Sequence, residues 1–164
     1  MSVRRSNGST IQEILSHIHS PSDPYEKARI ESCGGHVEVM KIQPVVPAVP
    51  RVFADSQCTR GGLAMSRSIG DQLIHRFGVI SDPSVNEVCL SDYSECNIII
   101  LIGSDGLLGY MKKSDVLAFF QSDKKSDLAS ELTTACQNAQ NYLLQLTNFK
   151  YADDTSGIAV RLHL

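Results

Sequence analysis

Three carboxylates sit where apolar runs end and begin. Asp105 follows the stretch Asn97 to Ile102 through Gly103 and Ser104, while Asp153 and Asp154 precede the stretch Ser156 to Leu162. If those two stretches are antiparallel neighbours in a sheet, the end of one and the start of the other meet at one sheet edge, and the carboxylates converge there. Clustered carboxylates repel one another and hold protons more tightly unless a cation sits among them. Carboxylate oxygens that leave room for water suit Mg²⁺ or Mn²⁺ best. On geometry alone a plainer reading stays open, with Asp105-Gly106 as a turn and Asp153-Asp154 as a solvated loop.

Other chemistries find less support. The cysteines, Cys33, Cys58, Cys89, Cys96 and Cys136, are odd in number and lack the close pairs of a zinc site or a small disulfide framework. They read as reduced thiols, and no Cys and Arg frame a short phosphate loop. Among the histidines only His17 and His19 are closely spaced, and with no further ligand beside them they read as packed or surface residues.

The elements that must position the carboxylates can be read from local signals. Asp23, Pro24 and Glu26 mark a helix start, with Glu26 placed to reach back to the cap, and Gly34-Gly35 marks its end near Cys33. His36 to Met40 alternates as a half-buried strand does. Pro44, Pro47 and Pro50 predict a loop from Gln43 to Val52 with no central strand. A short helical segment is expected over Leu63 to Ile69, closed by Gly70. Strands are expected over Gly78 to Ile80 and Val85 to Leu90, split by Asp82-Pro83.

Asn97 to Ile102 reads as a fully buried strand from its β-branched and leucine content. One helix begins at Lys113-Ser114-Asp115. A second carries Leu128, Leu132, Ala135, Ala139, Leu143 and Leu146 on one face. A final strand covers Ser156 to Leu162, and Met1 to Thr10 is expected to be loosely ordered. Strands followed by helices without regular alternation predict an α+β fold with antiparallel sheets.

The 164 residues, with 42% hydrophobic and 20% charged content, fit one ordinary globular domain. A net charge of −3 gives no broad basic surface, so nucleic acid is not an expected partner. The apolar run Ile98 to Ile102 is far too short to span a membrane, and the basic N-terminus is not followed by an apolar signal region. Cytoplasm or nucleus is the expected location.

Several segments in order resemble the metal-dependent protein serine/threonine phosphatases of the PP2C (PPM) family. They are His19-Ser20-Pro21 with Glu26 to Glu31 and Gly34-Gly35, Pro50-Arg51-Val52, Gly62 to Asp71 (GLAMSRSIGD), Gly103-Ser104-Asp105-Gly106-Leu107, and Asp153-Asp154-Thr155-Ser156. A single short motif is weak evidence and five in sequence are strong. The resemblance implies a sandwich of two antiparallel β-sheets flanked by α-helices, two Mg²⁺ or Mn²⁺ ions, and hydrolysis of phosphoserine or phosphothreonine in proteins by an activated water, with no covalent phosphoenzyme. It assigns Asp105 and Asp153 as metal ligands. Gly106, Asp154, Arg67 and Asp71 become candidates beside the metal or the phosphate, although Arg67 could equally be a structural partner of Asp71 or of a helix end.

The pattern also breaks. The family's Asp-Gly-His-Gly ligand motif, its phosphate-binding arginine and its general acid have no counterpart in these residues, so the chain reads as the C-terminal part of one such domain, incomplete at its N-terminus. Ile18 stands where the family has a metal-associated Asp. Leu107-Leu108 replaces an aliphatic-Trp pair, Gly109 replaces an acidic residue, Asp154 replaces Asn, and Gly157 falls inside the last strand. A catalytically inactive module that binds phosphoproteins or regulates a phosphatase is therefore the alternative. An incomplete sandwich would expose an apolar sheet surface that an oligomer or a partner could cover.

Overall fold

The computed structural model describes residues 1–40, 48–120 and 127–164. They form two compact units, Met1–Leu15 with Glu87–Leu164 and Ser16–Asn86. The prolines Pro44 and Pro47 lie outside the described residues.

The first unit is built on a four-stranded antiparallel sheet of β1 (Ser2–Arg4), β2 (Thr10–Gln12), β6 (Asn97–Gly103) and β7 (Gly157–His163), in the order β2-β1-β6-β7. The apolar run of β6 places it centrally, and its pairing with β7 is in register from Asn97↔His163 to Gly103↔Gly157. Side chains alternate across the sheet. On one face Ile99, Leu101 and Ala159 pack with Leu107, Val116, Phe120, Ala135 and Ala139, contributed by α3 (Asp105–Leu108), α4 (Lys113–Leu117), α5 (Leu128–Leu146) and Phe120 just beyond α4. On the other face Val3 and Ile98 pack with Met1, Cys96, Leu15 and Tyr93.

Two expectations need correction here. The N-terminal residues are ordered: Val3 is fully buried because β1 pairs with both β2 and β6, which gives the backbone of Ser2 to Arg4 partners on either side. Strand β6 is also not buried throughout. Ile98 and Ile99 are enclosed, but Ile102 is 62% exposed opposite Ile158, which is 61% exposed. Helix α5 starts as a capped amphipathic helix should, with the Asp127 carboxylate accepting from the Ala129 and Ser130 amides. Its buried face is Ala135, Ala139 and Leu143, whereas Leu146 is exposed.

The second unit begins with α1 (Pro24–Ser32). Asp23 caps it by accepting from the Tyr25 and Glu26 amides, and Gly34 leaves it with a positive φ of 78°. The chain then forms a three-stranded antiparallel sheet, β3 (His36–Met40), β4 (Val49–Phe53) and β5 (Gly61–Leu63), in that order. Thus Pro50 lies within a central strand, contrary to expectation. It pairs with Val39 on the β3 side, whereas β5 meets β4 only at Val52 and Phe53, so Pro50 has no β5 partner. Ile30, Val37, Val52, Ala54, Ile74 and Val79 form the core of this unit.

Leu63 to Ile69 is not helical. Gly61 to Leu63 is strand β5, and Arg67 makes an isolated parallel bridge to Ile80. The helix falls later, at α2 (Gln72–His75). The expected strands at Gly78 to Ile80 and Val85 to Leu90 are absent apart from that bridge, and Leu90–Tyr93 forms a 3-10 turn. Among the described residues no helix is long and apolar enough to cross a membrane.

Candidate metal centre

The β6/β7 pairing brings the ends of the two strands together. Beyond the Gly103↔Gly157 pair, the Ser104 amide donates to the Ser156 carbonyl at 3.0 Å. The Ser104 hydroxyl donates to the Asp154 carbonyl at 3.2 Å and accepts from the Ser156 amide at 3.1 Å. This side chain therefore fastens the segment before β7 to the turn after β6. The sequence placed Ser104 in the Ser-Asp-Gly motif without giving it a role, although Ser at this point in a strand-to-helix turn is a local signal for side-chain to backbone bonding.

Asp105 is the first residue of α3 and is exposed, with its carboxylate accepting from the Gly106 amide at 3.1 Å. Gly106 is buried against the opposite segment. A Cβ there would collide with the Asp154 carbonyl oxygen and come within 3.0 Å of Thr155 Oγ1. Only glycine lets the two segments approach this closely.

Asp153 is half-buried and has two partners. Its Oδ1 accepts from the Asp154 amide at 3.0 Å, and its Oδ2 accepts from the Tyr110 hydroxyl at 3.3 Å. Burial, followed by the negative charge of Asp153, pushes the Tyr110 phenol well above its usual range. The Asp154 side chain is exposed, and its backbone carbonyl is what meets Ser104.

Asp105 follows β6 and Asp153 precedes β7, the two strands whose ends are paired at Gly103↔Gly157. Among the described residues no group of three or more His, Cys, Asp or Glu is arranged to hold a metal. Two carboxylates, one exposed and one half-buried, are the kind of donors that a hard divalent ion such as Mg²⁺ takes while keeping several waters.

Arg67 and Asp71 belong to the other compact unit. Asp71 has φ +48°, is exposed, and opens α2 through its carbonyl, which accepts from the Ile74 and His75 amides. It is not the partner of Arg67. The Arg67 guanidinium forks onto Glu26, with Nη2 2.5 Å from Oε1, and donates from Nη1 to the Asp82 carbonyl at 2.8 Å. Glu26 does not reach back to its helix cap. It is 3% exposed and also binds Arg29 at 2.8 Å. Hydrogen bonds from Arg67 hold its carboxyl far below the usual range against the opposing effect of burial, helped by Arg29 and Ser66.

His17 and His19 are edge-to-face at 5.1 Å between centroids. His17 lies 3.2 Å from Asp23, and His19 bonds Ser84 at 2.7 Å. All five cysteines are free.

The fold and the paired-strand carboxylates define an α+β protein with a candidate cation site at a sheet edge. The family model for Protein phosphatase 2C matches residues 4–143, and the chain belongs to that family. It is similar to the probable protein phosphatase 2C 33 of Arabidopsis thaliana, with 31% identity over 87% of this chain and 28% of the relative. It is also similar to the probable protein phosphatase 2C 12 of Oryza sativa subsp. japonica, with 29% identity over 88% of this chain and 35% of the relative. The chain therefore spans roughly a third of the length of these relatives.

Among solved structures, the serine-threonine phosphatase 2C of Toxoplasma gondii superposes with a TM-score of 0.64 at 21% identity, over 98% of this chain and 50% of that one. A C. elegans sex determining protein gives 0.58 at 23% identity, over 96% of this chain and 33% of that one. These likenesses show the fold.

Proposed function

We propose that this chain is part of a metal-dependent phosphatase that hydrolyses phosphoserine or phosphothreonine in proteins. The observation that carries the reading is the placement of Asp105 and Asp153 at the joined ends of β6 and β7 in a protein phosphatase 2C chain. Asp105 and Asp153 would hold Mg²⁺ or Mn²⁺, two ions in a complete family site. Bound there, such ions supply a water acidified toward neutrality and positive charge for the phosphoryl oxygens.

This chain's own residues position the ligands. Ser104 ties the two segments together, Gly106 permits their approach, and Tyr110 holds Asp153. No nucleophilic side chain is required, in keeping with five free thiols that have no assigned role. The exposed Ile102 and Ile158 pair is, in this reading, a face covered by further polypeptide of the same protein or of a partner.

A second reading, an inactive module that binds phosphoproteins or regulates a phosphatase, is favoured by Ile18 and Gly109, neither of which can ligate a metal. The test is Mn²⁺-dependent phosphate release from a phosphothreonine peptide. Turnover lost in Asp105→Asn supports the enzyme, and tight peptide binding without turnover supports the module.

A further inference from the structure

Asp153 is held from two directions, one local and one from a separate segment. Its Oδ1 takes a bond from the next amide in the chain, which moves with it, whereas its Oδ2 takes one from Tyr110, which stands on the segment between α3 and α4. A carboxylate's terminal torsion is broad and roughly two-fold, so a local bond alone fixes it poorly. Each carboxylate oxygen has two lone-pair sites, and accepting one hydrogen bond at each leaves one at each for a cation. Gly109, immediately before Tyr110, contributes no side chain, so the phenol is what this segment sends toward Asp153. A phenol carries its proton at neutral pH and is therefore a donor there.

We propose that Tyr110 is a positioning residue for the metal centre, its hydroxyl locking the rotation of the Asp153 carboxylate so that its free lone pairs face a divalent cation. This rests on the reading of Asp153 as a ligand. It also gives a function to a residue that no motif identified, since a Tyr five residues after Asp105 has no distinguishing sequence signal.

The experiment is calorimetric titration of Mn²⁺ into the full chain as wild type, Tyr110→Phe and Asp153→Asn, with thermal unfolding of each. Tyr110→Phe keeps the ring and removes only the hydroxyl. It is expected to bind Mn²⁺ about tenfold more weakly, the scale seen when a ligand's hydrogen-bond partner is removed, while still unfolding cooperatively. Wild-type affinity in Tyr110→Phe together with lost affinity in Asp153→Asn would overturn the role of Tyr110 and leave the ligand intact. Equal binding by wild type and Asp153→Asn, or no binding by either, would overturn the ligand reading and this proposal with it.

Discussion

Arg67 and Glu26 are joined by a fork in which Nε lies 3.1 Å from both carboxylate oxygens and Nη2 lies 2.5 Å from Oε1. The same carboxylate binds Arg29, and the two arginines reach the carbonyls of Ser66, Gly78 and Asp82. One side chain on α1 therefore organises three stretches that have little regular structure of their own. Removing one partner of a buried ion pair leaves the other uncompensated. Glu26→Gln is expected to cost about 3 kcal/mol, measured by urea denaturation. Arg67→Lys should recover little of the lost contact, because an ammonium cannot reproduce the fork.

Acid sensitivity follows from the same group. The Glu26 carboxyl is held below its ordinary value of 4.5 in the folded state, so the unfolded chain takes up this proton first as pH falls. Its contribution is complete above the unfolded value and is lost as pH drops through the folded one. The denaturation midpoint should fall below about pH 4.5 in the wild type. In Glu26→Gln this part of the pH dependence should be absent, with the two curves converging in acid.

Gly106→Ala should be harmful out of proportion to its size. The added Cβ meets the Asp154 backbone, which cannot rotate away as a side-chain tip could. Overpacking of this kind costs about 1–3 kcal/mol. Thermal unfolding should report the loss, and Mn²⁺ affinity should fall with it, because the segment displaced carries Asp153.

Ile102 and Ile158 are predicted to contribute to dye binding and little to stability. Both are more than half exposed and face each other across β6 and β7. The double change to Ser should lower fluorescence of a hydrophobic-surface dye while altering unfolding free energy by no more than about 1 kcal/mol.

What could be read in advance was what local chemistry controls. The Asp23-Pro24 start of α1 and the Asp105 and Asp153 placements needed only capping rules and the antiparallel neighbourhood of two apolar runs. The failures occurred where tertiary pairing decides. Pro50 looked incompatible with a central strand, but the partner strand on one side is too short to need its missing donor. Leu63 to Ile69 has helix-like composition, yet Glu26, distant in sequence, draws Arg67 into an extended bridge with Ile80. Met1 to Arg4 gave no strong strand signal because its order comes from β6 beside it. Tyr110 was missed because its significance lies in a contact across 43 positions.

The most direct test of the central claim is electron paramagnetic resonance of Mn²⁺ added to the chain as wild type, Asp105→Asn and Asp153→Asn. If both carboxylates hold the ion, the free-ion signal is lost on adding wild-type protein and returns in both variants, with the fold retained. A free-ion signal of the same intensity with all three proteins would contradict a metal site at the β6/β7 edge.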